Sequence, residues 1–467
     1  MPNHTSATGR FDIAIIGAGV VGCAMARRLT LDGARVVVLE KAADVLDGAS
    51  KGNSAILHTG FDAPPGSLER DCIAQGYREY LKIAKDLGLP ILKCGALVLS
   101  WSDEQLATLP ELIGKAHENG VNDVRMLGRA EILKREPHLA GHVTGGFEVP
   151  GEYLIDPWTS AHAYLLQALA NGAELYRNTE VLSGQFDGAH WQLATSTGTF
   201  GATQVITCAG LYGDIVDQRL IGQSRFTIKP RKGQFVVFDK SASRLVSSII
   251  LPVPTKKTKG VVACKTIFGN LLIGPTAEEQ ESRTDASTDA QALSDLFAKG
   301  VEMFPDLGNH EVTATYAGLR PATEHQDYQI THVEKQNYVS VGGIRSTGLS
   351  AALGIARYVA GVIGYDLFSG QAITTPQTPT AVRLSEYHSR DWHDPGHGGI
   401  VCHCEMVTRR EIEAALSGPM PPATLQGLKR KTRVGMGRCQ GFYCTGELAA
   451  ITKGRLDAPI GCKVTDV

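Results

Sequence analysis

The chain has 467 residues, more than one hydrophobic core comfortably spans, so two or three domains are expected. Hydrophobic residues make up 43% and charged residues 20%, a balance that excludes disordered and fibrous classes. A formal net charge of −2 with both signs interspersed offers no basic field for a nucleic-acid backbone, so nucleic acid is not an expected partner.

The polar stretch Met1 to Arg10 lacks the apolar core of a secretory signal. The longest weakly charged stretches, Ile13 to Ala26 and Gly348 to Tyr365, are interrupted by glycines or by Arg357, and neither reads as a membrane span. The expected address is cytoplasmic, with peripheral attachment at the inner membrane face left open.

Phe11 to Lys41 reads as strand (DIAIIGAG), tight glycine turn, helix (VVGCAMARRLTLDG) and strand (RVVVLEK), one βαβ unit opening a doubly wound sheet. Gly17, Gly19 and Gly22 form G-x-G-x-x-G across the turn. The first glycine permits the turn, the second lets a pyrophosphate approach the backbone, and the third lets helix pack on strand. The diphosphate then sits on the helix N-terminus, where free N–H groups and the macrodipole favour negative charge. Glu40 follows Gly22 by eighteen residues and ends the second strand, the place for an acid that accepts hydrogen bonds from ribose hydroxyls.

Helical patterning returns at Leu68 to Leu87 and Asp103 to Asn119, with short strands at Ala96 to Ser100 and Gly146 to Val149. Asp156 to Asn171 reads as a helix leading into Glu174 to Tyr176, and Gln204 to Ala209 as an apolar strand; these resume the nucleotide sheet. From Phe226 to Gly274 come strand-like stretches (GQFVVF, NLLIGP), then a helix over Asp289 to Phe304, assigned to a substrate domain. Tyr338 to Tyr365 closes the nucleotide domain. Two segments favour FAD over NAD. TQVITCAG (Thr203 to Gly210) ends in small residues that let a dinucleotide pass close to the backbone, and GGIRSTGLSAALGIA (Gly342 to Ala356) is a second glycine-rich turn able to aim N–H groups at a flavin ring.

With these segments, KGNSAILHTGF (Lys51 to Phe61) and GLRPATEH (Gly318 to His325), the chain over roughly residues 10 to 370 resembles the D-amino-acid-oxidase-like superfamily of FAD-dependent oxidoreductases. The nearest branch holds glycerol-3-phosphate dehydrogenases and L-2-hydroxyglutarate oxidases. The resemblance implies an α/β fold: a discontinuous Rossmann-like FAD domain (1–90, 150–225 and 320–370) with an inserted, mainly antiparallel β substrate domain (91–149 and 226–319). It also implies FAD contacts from Gly17, Gly19, Val20, Gly22, Glu40, Lys41, Ser50, Asn53, Ser54, Gly210, Gly343, Arg345, Gly348, Leu349 and Ser350. His58, placed by the resemblance beside the flavin ring, is the candidate base for a substrate hydroxyl, since imidazole titrates near neutral pH. Arg320 and Arg345, each at a Gly-flanked turn, are candidates for holding a carboxylate or phosphate at the catalytic centre. Lys265, in an apolar strand, is a weaker one.

SGQAITTPQTP (Ser369 to Pro379) is polar, carries two prolines and shows no periodicity, so residues 371–395 read as a linker. Beyond it, in 396–467, Cys402-x-Cys404 and Cys439-x4-Cys444 form two close pairs separated by thirty-four residues. Cys23, Cys72, Cys94, Cys208 and Cys264 are instead scattered among apolar neighbours, and Cys462 reads as a surface thiol. The paired spacing in a reducing compartment points to metal and suits either zinc or [2Fe–2S]. The surrounding VCHCEMVTRREIEAAL and LKRKTRVGMGRCQGFYC resemble the bacterioferritin-associated-ferredoxin type of [2Fe–2S] domain, especially the C-terminus of the anaerobic glycerol-3-phosphate dehydrogenase large subunit, and select iron. A small helical iron–sulfur module is therefore expected.

The expected activity is an FAD-dependent dehydrogenase oxidising a C–OH carbon of a small anionic substrate, sn-glycerol 3-phosphate or a related polyol phosphate, with L-2-hydroxyglutarate or another 2-hydroxy acid as the alternative. A cluster beside a flavin converts two-electron chemistry into single-electron steps. It implies a one-electron carrier or quinone-linked acceptor, and a further electron-transfer subunit as a partner. The opposed reading is a non-catalytic electron-transfer subunit.

Overall fold

A computed structural model describes residues 10–254, 260–366 and 368–461, which leaves Cys462 outside the described residues. Strand β1 (Arg10–Ile16), helix α1 (Val20–Leu31) and strand β2 (Val36–Leu39) form the expected βαβ unit. β1 lies between β2 and the strand Gly198–Thr207, parallel to both. The sheet continues through Glu174–Tyr176 beside β2 and Tyr338–Gly342 beside Gly198–Thr207, both parallel. Because helices cover these strands, their side chains are buried on both faces and read as continuous apolar runs rather than alternating ones. Two antiparallel strands, Val181–Phe186 and Trp191–Thr195, extend one edge, an addition with no counterpart among the expected elements.

Helix α2 (Leu68–Leu87) has the expected bounds, with Ser67 as its N-cap and Gly88 ending it in the left-handed region. It crosses the helix Gly348–Ile363 at backbone distance. A Cβ on Gly76 would run into Ser350 O, and one on Gly354 into Cys72 O. This crossing sets where Ser350 and the loop before it stand against the sheet.

The second domain is built on a nine-stranded sheet, antiparallel except where Ile249–Pro252 runs parallel to Ala96–Ser100. Its spine is the pair Lys229–Phe238 and Val312–Ala322, which places Arg231 opposite Arg320. Pairing persists to Ala322, so this antiparallel sheet runs past residue 319 and takes Arg320 with it. A three-stranded ribbon of Ile56–Leu57, Tyr153–Ile155 and Ile91–Leu92 joins the domains.

The C-terminal unit has a small core of Val401, Val407, Ile412, Leu428, Val434 and Leu448. Helices Arg409–Ser417 and Thr445–Ile451 give the module its expected helical character, and Thr408 caps the first with a reciprocal Thr–Glu411 capping box. A third helix, Leu425–Thr432, is additional and turns Leu428 into the core of the unit. Residues expected to be a free linker are strapped to the body. Gly370 and Ile373 donate to Gly33 O and Leu31 O, Ala381 to Leu87 O, and Glu386 to Ile267 O. The unit itself docks through buried Asp44, which accepts from the N–H groups of Ala423 and Thr424 and from the Thr424 hydroxyl. No helix among the described residues is long and apolar enough to cross a membrane.

Candidate functional site

A cleft of about 560 Å³ opens at the carboxyl ends of the parallel strands, where doubly wound sheets bind ligands. Its floor is the glycine turn. Gly17 has φ +102°, and a Cβ there would meet Cys208 O at 2.6 Å; a Cβ on Gly22 would run into Gly17 O. Gly22 is thus a packing residue behind the cleft, whereas a Cβ on Gly19 would meet only Ser50 Oγ, at 3.2 Å, on the cleft side. Helix α1 begins at Gly19 with no side-chain cap and no acid in its first turn, and Thr347 before Gly348–Ile363 likewise supplies no side-chain cap. Both helix ends keep donors for an anion.

Glu40 braces this turn: Oε2 accepts from Ala18 N at 2.7 Å and Oε1 from Ala42 N at 2.8 Å. Burial raises its carboxyl above the ordinary range, against the opposing pull of those two N–H groups. Ser50 Oγ accepts from Val20 N, and Asn53 shapes the same loop by donating to Ser50 O and accepting from Ala55 N. Lys41 turns its ammonium onto the Tyr212 ring, 3.1 Å from the centroid. Val20, Lys41, Ser50, Asn53, Ser54, Gly210, Arg345, Gly348 and Leu349 all line the cleft. Gly343 and Ser350 do not; Ser350 stands behind it, accepting from His58 N at 2.8 Å.

A second cavity of about 290 Å³ adjoins the first and shares Ser54, Pro275, Arg320, Arg345 and Ser346 with it. His58 lines only this cavity. The register that sets Leu57 opposite Tyr153 brings His58 beside Glu152, whose Oε2 lies 2.8 Å from His58 Nδ1. Glu152 is fully buried, and its Oε1 accepts from both Thr59 N and Thr59 Oγ1. The carboxylate therefore holds the proton on Nδ1 and leaves Nε2 as the acceptor. Glu152 was not among the residues singled out from the sequence; GEYLI carries no motif, and only strand pairing brings it to His58.

The two arginines differ. Arg345 is paired with buried Glu69 at 3.0 Å, and Glu69 also accepts from Thr347 Oγ1. Among the described residues Arg320 has no carboxylate partner and reaches only Thr276 O, at 3.3 Å. Burial, then the neighbouring Arg231, push its guanidinium down to about 10. Gly233 across the strand makes room for it, since a Cβ there would meet Arg320 Nη2 at 2.5 Å. Lys265 lines neither cavity; strand alternation sets it on the face of Ala263, away from Val262, which does line the smaller one.

In the C-terminal unit Cys404 contacts Cys439 and Cys402 contacts Cys444, so the four thiols form one cluster of two cross-pairs. Burial and Cys402 push Cys444 up to about 11, whereas the Tyr443 N–H, Cys404 and the N–H groups of Gly441 and Phe442 hold Cys439 below its ordinary range. Gly437 leaves space at the cluster, since a Cβ there would run into Cys404 Cβ. Among the described residues no three His, Cys, Asp or Glu side chains converge as they would on a single ion. Four thiols with N–H groups turned on one of them are a donor set suited to a [2Fe–2S] cluster. The glycine turn, the uncapped helix ends and Glu40 suit FAD in the same way.

Comparison with known proteins agrees with both. Residues 12–362 match the family model described as FAD dependent oxidoreductase, and residues 400–453 the one described as BFD-like [2Fe-2S] binding domain. A glycerol 3-phosphate dehydrogenase from Caloramator mitchellensis is 32% identical over 98% of this chain and 96% of its own length. A glycerol 3-phosphate oxidase from Mycoplasma pneumoniae is 31% identical over 76% of this chain and 95% of its own. The structure titled dithionite-reduced L-alpha-glycerophosphate oxidase from Mycoplasma pneumoniae with FAD bound superposes with a TM-score of 0.74 at 28% identity, covering 80% of this chain and 98% of that one. The chain belongs to the FAD-dependent oxidoreductase family, binds FAD, and carries a BFD-like [2Fe–2S] domain at its C-terminal end.

Proposed function

We propose that the chain is a dehydrogenase that oxidises the C–OH of sn-glycerol 3-phosphate or a close polyol phosphate. The observation that carries this reading is Arg320, a half-buried guanidinium with no carboxylate partner among the described residues, in the wall shared by the FAD cleft and the cavity of His58. A buried cation without a counter-charge costs free energy unless a ligand supplies one. The relatives at 31–32% identity are named for glycerol 3-phosphate, which supports that anion as the ligand.

Arg320 and Arg345 hold the anionic group, and His58 Nε2 takes the hydroxyl proton while Glu152 keeps the opposite nitrogen protonated. When bound, FAD would supply the hydride acceptor, and a [2Fe–2S] cluster held by Cys402, Cys404, Cys439 and Cys444 would supply single-electron steps toward a one-electron or quinone-linked acceptor. Lys265, away from both cavities, is the weaker candidate for anion binding. Anaerobic bleaching of the flavin tests the reading. sn-Glycerol 3-phosphate should bleach it rapidly, L-2-hydroxyglutarate and other 2-hydroxy acids far less. Bleaching by a hydroxy acid alone would replace the substrate, and bleaching by none would leave an electron-transfer subunit.

A further inference from the structure

A line of contacts runs from the backbone of Lys51, at the FAD cleft, to Glu405, the chain neighbour of Cys404 in the thiol cluster. Trp158, second residue of the helix Pro157–Ala170, donates from Nε1 to the carbonyl of Lys51 at 3.2 Å, and Lys51 lines the cleft. The indole stacks on Phe268 with centroids 5.5 Å apart and planes 16° from parallel. Arg433 Cζ lies 3.9 Å from the centroid of the same phenyl ring. Arg433 Nε then donates to Glu405 Oε2 at 2.8 Å, and Glu405 follows Cys404 in the chain. Phe268 and Arg433 are almost fully buried, and Ile267 with Leu384 of the strap completes the packing around them.

Arg433 also carries backbone strain. It ends the helix Leu425–Thr432 at φ 65°, the position where glycine is at ease and a side chain is not. Glycine would relieve that strain but would lose the side chain that joins Phe268 to the carboxylate beside Cys404.

We propose that Trp158, Phe268 and Arg433 form the route by which electrons cross from the FAD cleft to the cluster. This rests on the relay reading above. A filled line of contacts attenuates electronic coupling less than a gap holding water, and the guanidinium favours the added negative charge at the cluster end. The hydride taken from substrate carries two electrons and one proton. Each crossing moves one electron from reduced FAD to an oxidised cluster. A one-electron acceptor from outside empties the cluster before the second crossing, and the proton leaves to water.

The test uses the full-length holoprotein, wild type and the variants Phe268→Leu, Trp158→Leu and Arg433→Gly, each assayed for flavin and iron content. A pulse of light with EDTA reduces the bound flavin without substrate, and cluster reduction is followed by absorbance and by EPR of samples frozen at intervals. At unchanged flavin and iron content, Phe268→Leu should slow cluster reduction by about tenfold, equivalent to roughly 1.4 kcal/mol on the crossing. Arg433→Gly relieves the backbone strain and leaves buried Glu405 with Lys240, 3.6 Å away, as its partner, so it should slow the crossing while the module keeps its iron. Wild-type rates in all three would overturn the route even if the relay stands. Because light replaces substrate, a wrong substrate leaves this result intact; wild-type protein purified without oxygen that holds zinc and no iron would overturn relay and route together.

Discussion

His58 Nδ1 lies 2.8 Å from Oε2 of Glu152, a carboxylate with no solvent exposure whose other oxygen is held by two donors from Thr59. In Glu152→Gln those Thr59 donors keep the amide oxygen at the Oε1 position, so the NH₂ faces His58 Nδ1. The imidazole must then carry its proton on Nε2, as a donor where an acceptor is needed. Flavin reduction by substrate should fall about a hundredfold, the scale of a lost general base. His58→Asn should fall comparably. Stopped-flow bleaching measures both, and wild-type rates in either variant would demote the pair to packing.

Arg320 and Arg345 should respond in opposite ways to removal of charge. Arg320→Met removes a cation that has no carboxylate partner among the described residues, so thermal stability should hold or rise by up to about 1 kcal/mol. KM should rise roughly ten- to a hundredfold through loss of a charge-assisted hydrogen bond. Arg345→Met strands Glu69, and because Arg345 is 26% exposed the loss should be about 1–3 kcal/mol rather than that of a fully buried pair. Melting curves and KM on the same preparations separate the two; equal destabilisation would show that Arg320 has a structural partner.

The glycines of the turn should also divide. Gly19→Val places a branched side chain on the cleft side, near only Ser50, so the apoprotein should stay folded and lose FAD. Gly22→Ala drives a Cβ into Gly17 O and should destabilise the fold by about 3 kcal/mol. The ratio of flavin to protein absorbance and the apoprotein melting temperature tell these apart. Full flavin occupancy in Gly19→Val would move the pyrophosphate elsewhere.

Cys439→Ser should abolish cluster iron while the flavin is retained, because Asp44 and the strap hold the unit through contacts that do not involve the thiols. Gly437→Ala should reduce iron content without removing any thiol, since its Cβ displaces Cys404. Iron per chain and the EPR signal after reduction are the measurements. Normal iron in Cys439→Ser would exclude that residue as a ligand.

The local elements were legible in the sequence because their physics is local. The glycine turn, the acid ending β2, the helix Leu68–Leu87 and the paired cysteines depend on spacings within a few residues or a single βαβ unit. What required the tertiary structure is each relation between distant segments. Strand register, not sequence proximity, sets Glu152 beside His58 and Arg320 opposite Arg231. Residues 371–395 look like a tether because their hydrogen-bond partners, Leu87 O and Ile267 O among them, lie far away in the chain. Trp158 and Phe268 lie in no motif, and Arg433, though inside the LKRKTRVGMGRCQGFYC stretch, shows nothing there of its partner; the three meet only because separate segments bury their side chains at one junction.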